Sequence, residues 1–170
     1  MLSLHSKQII IAMIQRIQTL YLFLAFIAMA LLFAFPLAQF FSETGTYIFS
    51  ITGLKNMIPD GAPAFNSIVF LPLVIVSVGI ALLALITIFQ YKKRSFQIKL
   101  TSAGVFSAIA LIMGIFFFYI PMIEKKISII PNYLDSIGIY LPLIALVFMV
   151  MANRAIKRDE KLVRSADRLR

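Results

Sequence analysis

Four stretches of the sequence, residues 17–41, 65–89, 98–120 and 137–151, are almost purely apolar, and apart from Lys99 at the edge of the third they hold no Asp, Glu, Lys, Arg or His. A soluble fold must clothe its core in polar residues and cannot hide so much apolar chain. About twenty apolar residues in a helix, by contrast, cross a hydrocarbon layer of about 30 Å. In lipid only a helix or a closed barrel satisfies every backbone donor and acceptor, and continuous runs lack the alternation of barrel strands. The expected fold is therefore an all-α membrane protein, a four-helix transmembrane bundle. Composition agrees, since 61% of the 170 residues are hydrophobic and 14% charged, against roughly 45–50% and 25% in soluble domains.

A net charge of +9 would suggest nucleic acid if it formed a patch, but the charges stand between and beyond the apolar runs, where they set orientation. No nucleic-acid partner is expected. Of the sixteen Lys and Arg, only Lys55, Lys125 and Lys126 fall in the first and third loops. The other thirteen lie before the first run (Lys7, Arg16), around the second loop (Lys92, Lys93, Arg94, Lys99) and in the tail. Basic residues are retained on the cytoplasmic side, so both termini of a multi-pass membrane protein are expected there. The absence of cysteine excludes disulfides and thiolate chemistry and leaves no mark of a redox compartment.

Near the N-terminus, residues 9–41 are apolar except around Gln15, Arg16 and Gln18, and would reach about 50 Å as one helix. A start at Met13 would leave a span of ordinary length, with residues 1–12 a non-native or disordered extension; the alternative is a genuine interfacial helix there. The run is too long for the apolar core of a signal peptide. In the first external loop, Gly45-Thr46-Tyr47-Ile48-Phe49-Ser50-Ile51-Thr52-Gly53 reads as a short strand or hairpin, with Tyr47, Phe49 and Ile51 on one face. That face either docks a partner, or belongs to a small strand or hairpin packed on the membrane surface. The third loop, residues 121–136, is polar enough to leave the bilayer and too short for a domain.

Ionisable groups inside a membrane usually carry function, and the spans offer none at depth from which an acid, base, nucleophile or metal set could be built. No catalytic, cofactor-binding or metal-binding residue is assigned, and an enzyme is not expected. Small residues recur at Ala103, Ser107, Ala110 and Gly114 on one stripe of the third helix, suiting close helix packing within the chain or in a homo-oligomer. Pro36, Pro72, Pro121 and Pro142 all stand towards external helix ends, where proline is tolerated or where kinks could splay a vestibule.

Residues 152–170 form the most patterned polar segment. Ala155, Leu162, Ala166 and Leu169 share a helical face, and the fourth helix is expected to continue into the cytoplasm as a basic helix. Arg154, Lys157, Arg158, Asp159, Glu160, Arg164, Asp167 and Arg168 are the candidate contacts to membrane lipids or to a cytoplasmic or membrane protein partner. A pure lipid anchor explains the basic residues but not Asp159, Glu160 and Asp167.

Met13-Ile14-Gln15-Arg16-Ile17-Gln18-Thr19, together with Asn153-Arg154-Ala155-Ile156, Asp159-Glu160 and the segment from Leu162 to Arg170, resembles a Bacteroidota family of small four-helix inner-membrane proteins, the domain of unknown function 4293. The resemblance implies an inner-membrane location and no activity. The expected role is a non-enzymatic accessory or assembly factor with a binding tail, or alternatively a subunit of an oligomeric channel or small-molecule transporter. A claudin-like tetraspan ranks last, because the cysteine pair of such a first loop is missing.

Overall fold

A computed structural model of the chain describes residues 4–42, 45–57, 65–91, 93–127 and 133–167, and of these the side chains of residues 4–16, 133, 164, 166 and 167 are left aside. Helix α1 covers Leu4–Leu31, and a sheet follows with β1 (Ala38–Ser42), β2 (Gly45–Ser50) and β3 (Gly53–Asn56). Then come α2 (Leu71–Phe89), α3 (Arg94–Met113), a π-helical segment (Gly114–Tyr119), α4 (Ile120–Ile127), β4 (Tyr133–Asp135) and α5 (Leu141–Asp167). α1 packs on α2 and α5, and α3 packs on the same two, which closes a four-helix ring. The sheet caps one end, here called the sheet end. The short α2–α3 connection and the end of α5 share the other, the tail end.

Three helical rods, Ser67–Phe89, Arg94–Ile127 and Ile137–Val163, are long and apolar enough to cross a membrane, and the fourth apolar helix is the shorter Ile17–Leu31. The helix expected over residues 17–41 is thus corrected. It stops at Leu31, turns, and re-emerges as β1, whose Phe40 sits opposite Tyr47 of β2. Pro36 explains the break, since it lacks a donor and disfavours helical geometry in the residue before it. The break at Leu31 shortens the helix at this end.

All strand pairs are antiparallel, in the order β3-β2-β1-β4. The run read as a short strand or hairpin holds β2, and β3, which extends beyond it, pairs back after a tight turn that ends at Gly53, whose φ of 153° suits glycine. Tyr47, Phe49 and Ile51 are buried, so their shared face belongs to the core and not to a docking surface. Phe49 and Tyr119 stack with ring centroids 6.5 Å apart, Phe70 lies 5.7 Å from Tyr119, and the Tyr119 hydroxyl donates to the Val69 carbonyl at 2.9 Å. These contacts bind the sheet to the start of α2 and to the π-helical part of the rod Arg94–Ile127. The third loop is shorter than expected, because helix continues to Ile127 and β4 pairs with β1.

The prolines have separate reasons. Pro72 and Pro142 occupy first turns, where no amide bond is lost, and Pro36 lies outside the helices. Pro121 interrupts a continuous rod and cannot donate to Phe117. Just before it the ladder slips to π register, with the Ile120 N–H on the Ile115 carbonyl, so the bonding defect is spread over one wide turn.

The stripe of Ala103, Ser107, Ala110 and Gly114 is not where α3 packs on its neighbours. Ala103 and Ala110 are exposed, and a Cβ on Gly114 would meet nothing within 4 Å. The inward seam is Thr101, Gly104, Ala108, Leu111 and Ile115, offset by a fraction of a turn. At its closest point Gly104 faces Met149 of α5 and Leu83 of α2.

Candidate functional site

The tail end concentrates the buried polar groups. Of those outside helix-internal bonding, Gln18 comes from α1, Gln97 from α3 and Asp159 from α5, and all three are almost fully buried. Gln97 donates its side-chain amide to the Thr87 carbonyl at 3.0 Å, satisfying the end of α2, and Asn153 donates to Ser102 Oγ at 3.1 Å. Each of these bonds ties two helices where an unpaired amide would be costly.

Asp159 stands in an ion pair with Arg94, Oδ2 to Nη1 at 3.1 Å, with side-chain exposures of 3% and 22%. The contact is one of charges, since Arg94 Nη1 has no aligned hydrogen-bond acceptor among the described residues. One position on, Ser95 donates to Glu160 Oε1 at 3.1 Å. Asp159 and Glu160 therefore turn back onto the first turn of α3 and hold α5 against the bundle. This revises the sequence reading, in which Asp159 and Glu160 spoke for an outside partner.

The placement follows from spacing. Ala145, Met149, Ala152, Ile156 and Asp159 are all buried and recur every three or four residues, so the inward stripe of α5 ends on the carboxylate. The expected apolar face of the tail is a different one, where Ala155 is half-buried and Leu162 is 50% exposed. Among the other expected contacts, Arg154, Lys157 and Arg158 are exposed. The side chains of Arg164 and Asp167, and Arg168 altogether, lie outside the described residues, as does Leu169.

Two clefts flank the docked tail. One lies between the start of α3 and α5, with Lys93, Phe96 and Lys99 on one wall and Glu160 and Val163 on the other. The second is a groove of about 640 Å³ between α1 and α5, where Ile17, Tyr21, Met151 and Leu162 meet Arg154 and Arg158. Tyr21 stacks on Phe148 at the groove's upper end, with centroids 6.4 Å apart. Sequence reasoning missed the part played by Ile17 and Tyr21, because a groove between the first and last helices has no local signature.

A family model described as a domain of unknown function, DUF4293, matches residues 14–169. The chain belongs to this family. The match covers nearly the whole DUF4293 chain, from the first helix through the docked tail. No curated protein and no solved structure matches it.

Proposed function

We propose that this DUF4293 chain is an integral protein of the bacterial inner membrane with both termini cytoplasmic, and that it acts without catalysis as an accessory or assembly factor. The observation that carries the reading is the arrangement of three membrane-length apolar rods beside a fourth apolar helix, with polar and basic sequence gathered at one end. Among the described residues, ten Lys and Arg fall at the tail end of the ring, while Lys55, Lys125 and Lys126 belong to the sheet end. That asymmetry supports a cytoplasmic tail end. Arg154, Lys157 and Arg158 then form an exposed basic surface on α5 for headgroups or a protein partner.

Because the chain has no cysteine, each introduced one is a sole reporter. In spheroplasts, Lys55→Cys should react with a membrane-impermeant maleimide, and Lys157→Cys should react only after permeabilisation. The reverse pattern would invert the orientation, and release of the protein by alkaline carbonate would remove it from the membrane.

The alternative, a subunit of an oligomeric channel or transporter, gains support from one finding. The small-residue stripe faces outward, where a second copy could approach closely. Purification in mild detergent distinguishes the two: one copy with a reproducible partner favours the accessory role, and a closed oligomer without partners favours the channel.

A further inference from the structure

We propose that the groove between α1 and α5 at the tail end is a binding site for one anionic phospholipid, its phosphate held by Arg154 and Arg158 and its acyl chains lying on Ile17, Tyr21 and Met151. The proposal rests on the membrane reading above and adds a specific ligand class and place to it.

The first observation is the polarity of the outward face of α5 along its axis. Leu143, Val147 and Met151 are apolar side chains exposed at 39%, 56% and 38%, spaced one turn apart. The next turns of the same face carry Arg154 and Arg158, both exposed. The change from apolar to cationic takes three residues, about 4.5 Å of helix. A groove crossing that boundary fits a molecule that is apolar at one end and anionic at the other.

Charge complementarity is the second observation. Among the described residues no carboxylate lines the groove, because Asp159 and Glu160 are turned to the opposite side of α5, onto Arg94 and Ser95. The acids that would cancel the cations are thus occupied elsewhere. Arg154 and Arg158 stand one turn apart, about 6 Å along the axis, and their planar guanidinium groups can share the oxygens of one phosphodiester.

The third is shape. Ile17 is 45% exposed and opens the groove sideways, while the stacked Tyr21 and Phe148 close it above. A chain entering from the lipid side meets an apolar floor continuous with the exposed stripe of α5. A soluble phosphate would use the arginines alone and leave that floor wet. An acidic protein segment would fill the rim but has no reason to need the floor.

The test is native mass spectrometry of the full chain in a neutral detergent, titrated with dioleoyl phosphatidylglycerol or dioleoyl phosphatidylcholine. One phosphatidylglycerol per chain should be retained at least tenfold more tightly than phosphatidylcholine. Arg154→Gln with Arg158→Gln should abolish the difference, whereas Lys99→Gln, which removes an exposed charge in the cleft on the other side of α5, should change it less than twofold. Met151→Gln, which makes the floor polar without adding a charge and leaves both arginines intact, should also weaken retention, which separates lipid from headgroup alone. Equal retention of both lipids, an unaffected double arginine variant, or full displacement by millimolar glycerol phosphate would each overturn the site. Topology is read separately by the cysteine labelling, so an inverted orientation and an absent lipid site give different results.

Discussion

Gly138→Ala is expected to destabilise the protein by about 3 kcal/mol, the upper end of the usual cost of overpacking. The glycine lies in the tight turn before α5, and its amide donates to the Pro36 carbonyl at 3.0 Å. An added Cβ would collide with that carbonyl oxygen, and would stand 2.7 Å from its carbon and 2.8 Å from the Phe35 oxygen. Everything it meets is backbone, and the backbone is pinned. Leu37 accepts from the Ser136 amide at 3.1 Å and donates to the Phe49 carbonyl at 2.7 Å, so the turn cannot shift without loosening β1, β2 and the start of α5 together.

Gly104→Ala is the built-in comparison. There the new methyl would overlap Met149 Cε and lie 3.2 Å from its sulfur, but a methionine end can rotate away. Alanine also favours the helix by up to about 1 kcal/mol over glycine. The net cost at Gly104 should be below about 1 kcal/mol. Unfolding in mixed micelles followed by circular dichroism gives both values, and equal stability of the two variants would show that the turn is not rigid.

The second large effect is expected at Arg94. Arg94→Leu leaves the Asp159 carboxylate, 2% exposed, without its counter-charge, and removing one partner of a buried pair costs on the order of 3 kcal/mol. Partial exposure of Arg94, at 22%, lowers the expected cost to about 2 kcal/mol. Asp159→Leu should be milder, because the arginine left behind borders an open cleft and can turn to water. Leucine at both positions should recover most of the loss, since no charge is then buried alone. A double-mutant cycle on unfolding free energies measures the coupling, and an additive result would mean that the pair does not hold the tail.

The helical rods were legible because hydropathy needs only length, and length is local. β2 was legible for a similar reason, with glycines bounding a β-branched and aromatic run, while its partner β3 extends beyond that run. β1 was not, because Ala38-Gln39-Phe40-Phe41-Ser42 continues the apolar run and only its partner strand makes it extended. Short apolar segments suit helix and strand alike until something pairs with them.

The site divides in the same way. Arg154, Lys157 and Arg158 stood out as a basic segment, and the structure leaves them exposed. Asp159 looked like one more exposed charge, although the spacing from Ala145 through Ile156 already pointed it inward. Confirmation required Arg94, which is 65 residues away and on another helix. The stripe at Ala103 and Ala110 was legible as small residues but not as to its face, since small residues mark where helices can approach and not which neighbour does so.

The sequence by itself determined that the chain forms apolar helices of membrane length, and which connecting segments carry the basic charge, because both properties add up residue by residue along the chain. Tertiary structure decided where the first helix ends, which face of α3 is inside, and that Asp159 and Glu160 bind the bundle. Those depend on pairings between distant segments, and a strand edge, a seam or a buried carboxylate has no energy of its own until its partner is in place.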